Sequence, residues 1–128
     1  MIYLDSSVVL AHLLTEDRRP PPQLWDETLV SSRLVEYEIW TRLHALGHGG
    51  SKANLARELI ASLQLVELAP NVLTRVLEPF PIALRTLDAL HLATVEFVRR
   101  QAGRVELASY DQRLLAAAQA LGVAAYRL

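Results

Sequence analysis

Apolar positions along the chain follow two rhythms, short continuous runs and longer stretches at helical spacing. The runs Ile2–Asp5, Thr28–Val30, Leu65–Leu68, Val105–Ser109 and Val123–Tyr126 predict five short strands. Ser7–Thr15 predicts a helix carrying Val8, Val9, Leu13 and Leu14, and Arg33–Leu46 a second with one stripe of Val35, Ile39, Leu43 and Leu46. Gly47-His48-Gly49-Gly50 ends that helix, and Ser51 is the expected N-cap of a third reaching Leu63. Pro70–Glu78 predicts a further helix, broken by Pro79-Phe80-Pro81. Thr86–Gln101 is apolar on nearly every side and predicts a buried helix, and Ala-rich Asp111–Leu121 ends at Gly122. Three consecutive prolines place Arg18–Pro22 in a loop.

Strands alternating with helices predict an α/β fold, a three-layer α/β/α sandwich around a mostly parallel central sheet. Ligands of such folds gather beyond the carboxyl ends of the strands, where the strand order reverses. With 128 residues and neither linker nor internal repeat, residues 1–128 form one domain. Absence of cysteine excludes disulfides, thiolate nucleophiles and Cys-ligated zinc, as expected of a cytoplasmic protein. No stretch has the length of a membrane span or the basic start of a signal peptide.

The net charge of −1 gives the whole molecule no attraction for nucleic acid, so any polyanion must be held locally. Twelve of the thirteen basic residues are Arg, through GC-rich coding or for bidentate phosphate contacts.

The candidate chemistry lies in four acids, Asp5, Glu38, Asp88 and Asp111. Asp5 closes a short buried strand, where an unpaired carboxylate is costly. Capping the next helix is its alternative role, although Ser6 and Ser7 can cap equally well. Asp88 and Asp111 open helices, and each alone reads equally as a cap. Glu38 and Glu36 border opposite flanks of one apolar stripe, and periodicity does not choose between them. His91 follows Asp88 by one turn, faces Leu87, Leu90, Thr94 and Val98, and reads as a core histidine, with a bond to Asp88 or to a ligand the lesser alternative. Gathered carboxylates repel one another unless divalent cations neutralise them, which makes metal-dependent phosphodiester chemistry the first hypothesis.

His44 and His48 lack the Glu of a zinc-protease motif, Gly47–Lys52 has the wrong order for a P-loop, and no Gly-x-Ser-x-Gly elbow occurs.

Four segments in order resemble the PIN-domain ribonucleases, specifically the VapC-type toxins of toxin–antitoxin pairs. They are Tyr3-Leu4-Asp5-Ser6-Ser7, the helix Ser32–Ile39, Leu84-Arg85-Thr86-Leu87-Asp88-Ala89-Leu90-His91-Leu92-Ala93-Thr94, and Ser109-Tyr110-Asp111-Gln112-Arg113-Leu114. Together they span the chain, and this register selects Glu38 over Glu36.

Ser6 and Ser109 stand where Thr is common, and Arg113 where some relatives carry a further acid. The short Pro-rich stretch between Glu16 and Trp25 leaves substrate contacts there unassigned.

The resemblance implies an endoribonuclease using Mg2+ or Mn2+. Asp5 and Asp88 would hold the principal ion, Glu38 would complete its shell or orient water, and Asp111 would act through a second ion or a water. Ser6, Ser7 and Ser109 would support them. At least one of the four acids is then expected to have a raised pKa without metal.

It further implies an RNA substrate, a cognate VapB-type antitoxin seated in an apolar groove near Trp25, Tyr37 or Trp40, and a homodimer or toxin–antitoxin hetero-oligomer. The alternatives are a PIN nuclease of RNA maturation and a non-catalytic PIN interaction module.

Overall fold

In a computed structural model, which describes residues 1–15 and 17–128, the alternation predicted from sequence is realised as five strands and six α-helices. Glu16, the start of the short Pro-rich stretch, lies outside the described residues. The elements run β1 (Ile2–Leu4), α1 (Ser6–Leu13), β2 (Leu29–Ser32), α2 (Leu34–Ala45), α3 (Ala53–Ala61), β3 (Gln64–Val66), α4 (Pro70–Leu73), α5 (Thr86–Ala102), β4 (Glu106–Ala108), α6 (Gln112–Ala120) and β5 (Ala124–Ala125).

The strands form one parallel sheet in the order β3-β2-β1-β4-β5. Ile2 pairs with Leu29 on one side and Glu106 on the other, so β1 is the central strand. From β1 the chain winds first towards β3 and then back past β1 towards β5. The order therefore reverses at the β1–β4 boundary, where parallel sheets open a crevice.

Side-chain alternation along the strands divides the core in two. Ile2, Leu4 and Leu29 pack with Val8, Val9, Val35, Ile39 and Leu43 on the face covered by α1 to α3. Tyr3, Val30 and Leu107 pack with Leu92, Val95 and Leu114 beneath α5 and α6. Both faces of β1 are buried, which is why it reads as an unbroken apolar run.

Three sequence expectations need correction. Ser51 does not cap α3; Lys52 holds that position without a side-chain cap, and the Ser51 hydroxyl lies 3.5 Å from His48 Nδ1. The predicted helix Pro70–Glu78 tightens after Leu73 into a 3-10 turn over Thr74–Leu77. A second 3-10 turn, Pro22–Asp26, follows the proline run, with a proline at its first turn where no N–H is lost.

Helix α5 is buried all round only in its middle, from His91 to Val95. Its first turn projects beyond the sheet, and Leu87 is 48% exposed. Gly122, at φ +83°, ends α6 as predicted, in the left-handed region that favours glycine.

These burials set an expectation for stability. Leu92→Ala should lower unfolding free energy by about 2–5 kcal/mol, whereas Leu87→Ala should change it by less than about 0.5 kcal/mol. Urea denaturation of both variants measures the contrast.

Candidate active site

Asp5 immediately follows β1, and Asp111 follows β4 after two residues, so neighbouring strand ends deliver both to the crevice. Asp5 is 4% exposed and occupies the N-cap position of α1, yet its side chain makes no capping bond. Instead its Oδ2 accepts hydrogen bonds from Ser7 Oγ at 2.7 Å and Ser109 Oγ at 2.8 Å. Each serine is held in turn by a backbone donor: Tyr110 N–H gives to Ser7 Oγ at 3.0 Å and Asp111 N–H to Ser109 Oγ at 2.9 Å. Two hydroxyls with their own donors thus fix one oxygen of a buried carboxylate and offset much of its desolvation.

Asp111 does cap its helix. Its Oδ1 accepts from Arg113 N–H at 2.9 Å and Leu114 N–H at 3.1 Å, while Oδ2 takes no hydrogen bond among the described residues. Asp88 lies in the first turn of α5. A cavity of about 540 Å³ opens between these two helix starts, lined by Ala83, Leu84, Arg85, Asp88, Asp111 and Arg113.

Burial, followed by repulsion from Asp111 and Asp5 and more weakly from Glu38, pushes the Asp88 carboxyl above its ordinary range, against the pull of His91. Asp88 thus senses the charge of the other three acids, and the expected upward shift falls on it.

The two α2 acids face different partners. Glu36 faces Arg33 at 3.5 Å, away from the crevice. Glu38 accepts from Ser6 Oγ at 3.3 Å through Oε2 and meets His91 Nε2 at 2.5 Å through Oε1. The fully buried His91 is indeed a core residue, but its partner is Glu38 rather than Asp88.

The other ring nitrogen of His91, Nδ1, lies 2.7 Å from the Tyr3 hydroxyl, and the two rings meet edge-on at 80°. Burial alone would lower the His91 pKa, yet the bond and charge of Glu38, with Asp5 and Asp88 behind it, raise it. Burial also raises the Tyr3 phenol, keeping it protonated. With neutral His91, Tyr3 donates to Nδ1 while Nε2–H donates to Glu38; with the cation, both ring N–H groups donate.

This link of β1, α5 and α2 through Tyr3, His91 and Glu38 was missed in the sequence. A histidine amid apolar residues beside an acidic motif was its only signal.

The donors available to a metal are all oxygens, which suits a hard divalent cation. Among the described residues, no three acids or histidines stand close enough to make a ready coordination shell.

The fold and site define a small doubly wound α/β domain with a carboxylate-lined crevice at its switch point. The PIN domain family matches residues 2–120. Ribonuclease VapC46 of Mycobacterium tuberculosis is 36% identical, with 96% of this chain and 94% of that protein covered. Ribonuclease VapC35 of the same species is 33% identical over 97% of this chain and 94% of its own length.

In structure, the chain resembles M. tuberculosis VapC20, described as a sarcin-ricin loop cleaving toxin, with TM-score 0.73, 19% identity and full coverage of both chains. It also resembles a chain of a toxin–antitoxin complex from Klebsiella pneumoniae, with TM-score 0.68, 16% identity and 91% of each chain covered. The chain belongs to the PIN-domain family, among its VapC-type members.

Two predictions follow from the electrostatics. A raised Asp88 pKa means the metal-free fold is stabilised for this group below the ordinary value of 3.8, and loses that advantage as pH rises through the raised value. Metal-free Asp88→Asn should therefore melt above wild type at neutral pH, by roughly 3 °C, with the gap closing in acid. Scanning calorimetry against pH measures this.

His91→Leu leaves Glu38 and Tyr3 without their partner and should cost about 1–3 kcal/mol, while His91→Gln, whose amide can still donate, should recover part of it. Chemical denaturation of the two variants tests the difference.

Proposed function

We propose that this protein is a metal-dependent endoribonuclease, the toxin of a toxin–antitoxin pair, which hydrolyses RNA phosphodiester bonds with Mg2+ or Mn2+. What supports this reading is that Asp88 and Asp111 line one cavity, and that Asp88, raised first by burial, is raised further by the charges of Asp111, Asp5 and Glu38. The names of the mycobacterial relatives support the same reaction.

Asp5 and Asp88 would hold the principal cation. The serine bonds occupy Asp5 Oδ2 and leave Oδ1 to act as a ligand. Glu38, steadied by Ser6 and His91, completes that shell or orients the attacking water. Asp111 contributes Oδ2, through a second cation or a water, while Oδ1 stays with the helix. A bound divalent ion lowers the pKa of its water and stabilises charge gathering on the scissile phosphate. Ser7 and Ser109 hold Asp5 still, and the buried His91 balances part of the charge on Glu38.

A VapB-type antitoxin is the partner. Beside Glu38 a mainly apolar groove of about 520 Å³ is lined by Leu10, Leu34, Tyr37, Ala45 and Leu87, with Ser6, Glu38, Thr41 and Arg42 as its polar members. A helix or extended tail laid there would carry a cation to the acidic crevice. Of the three aromatic candidates, only Tyr37, 61% exposed, lines this groove. Trp25 packs on His12, and Trp40 lines a separate cavity beneath Arg57.

Purified protein should cleave a mixed RNA pool in Mg2+ or Mn2+, with activity reduced at least 100-fold in Asp5→Asn and abolished by EDTA. Gel analysis of the products decides it; cleavage that survives both treatments would exclude the metal mechanism.

A further inference from the structure

The cavity holding Asp88 and Asp111 is also walled by two guanidinium groups, those of Arg85 and Arg113. Opposite charges share one small space, yet neither arginine pairs with either acid. The ion pairs among the described residues are Arg33 with Glu36 and Glu67, Arg75 with Glu96, and His91 with Glu38.

Arg113 is held off by the chain itself. Its Nε donates to Ala83 O at 2.8 Å, across the cavity rim, which fixes the plane of the guanidinium while its terminal nitrogens make no bond among the described residues. Arg85, the exposed residue before α5, has no side-chain partner among the described residues. What sets Arg85 and Arg113 apart is their place on the wall of the cavity that holds Asp88 and Asp111.

Two unpaired, spaced guanidiniums beside carboxylates are an arrangement that an anionic chain can bridge. A protein of net charge −1, presenting a cluster of acids, repels RNA unless cations at the site receive it. Guanidinium groups suit phosphate oxygens because their planar fork donates two parallel bonds. A cavity of about 540 Å³ is also within the range of small-ligand sites, enough for part of a nucleotide.

We infer that Arg85 and Arg113 form a phosphate clamp, binding backbone phosphates on either side of the one cleaved at Asp5, Asp88, Glu38 and Asp111. The clamp rests on the nuclease reading and adds the means by which an acidic site holds a polyanion. It positions RNA and does not act on the reacting atoms.

The test is steady-state cleavage of a short single-stranded RNA between about 50 and 200 mM salt, using the full chain and Arg85→Gln, Arg113→Gln and Arg113→Lys. Arg85→Gln and Arg113→Gln should each raise KM by about tenfold and leave kcat near wild type. Each should also flatten the slope of log kcat/KM against log salt by about 0.7, the value for one phosphate of a single strand. Arg113→Lys should keep the slope while losing affinity, because it retains the charge without the fork. Calorimetric Mg2+ affinity should stay at the wild-type value throughout.

Should Arg113→Gln fail to fold for want of its bond to Ala83, Arg85→Gln decides alone, since its side chain holds nothing in place. A cleaving wild type beside variants with unchanged KM and salt slope overturns the clamp, as does a fall in Mg2+ affinity with KM unmoved. A wild type that neither cleaves RNA nor binds Mg2+ overturns the nuclease reading, and the clamp falls with it.

Discussion

Mutual repulsion of carboxylates at the carboxyl ends of β1 and β4 is the constraint on which the other features depend. Parallel strands that reverse order must open a crevice there, and the residues following them have no choice but to line it. Placing acids in that position costs stability unless each is met by donors or by positive charge. Each acid meets the demand differently. Asp5 takes two serine hydroxyls, Asp111 takes the free N–H groups of a helix start, and Glu38 takes a buried imidazole. Asp88 receives least, and burial together with the charges of Asp111, Asp5 and Glu38 raises its pKa.

The hydroxyls do more than neutralise. Ser7 belongs to α1 and Ser109 to the loop after β4, and both converge on one oxygen of Asp5 while accepting backbone N–H groups from Tyr110 and Asp111. The two halves of the crevice are thereby tied together through Asp5. A small displacement of either loop would break a bond to a buried charge, so the crevice holds its shape without bound ligand. Rigid placement of this kind is what differential stabilisation of a transition state requires.

Much of this was legible in the sequence because apolar runs and helix punctuation act locally. The five strands were placed to within about two residues, and the acids after β1 and β4 followed from them. Single-chain periodicity failed where a decision needed three dimensions. Glu36 and Glu38 flank one stripe symmetrically; the family register chose Glu38, and the approach of α5 with His91 shows the physical difference between them. His91 read as an ordinary core residue because burial and pairing look alike in a list of letters. Leu87 looked buried because its spacing matches Val98 and Thr94, but the helix projects past the sheet before its core-facing turns begin. Ser51 lost to Lys52 as the N-cap of α3 because a turn from His48 to Lys52 claims the intervening backbone.

The same geometry explains why the charges are not cancelled within the protein. His91 is buried and its Nε2 is taken by Glu38, while Arg113 is anchored to Ala83, and Arg85, although it lines the same cavity as Asp88 and Asp111, pairs with neither. Had either arginine paired with Asp88, the site would be more stable and closed to an incoming cation. On the proposed reading, keeping the cations near but unpaired leaves Asp88 to gain from a divalent ion and the guanidiniums to gain from phosphate. Such a site forgoes stability in the free protein and recovers it only when both ligands arrive.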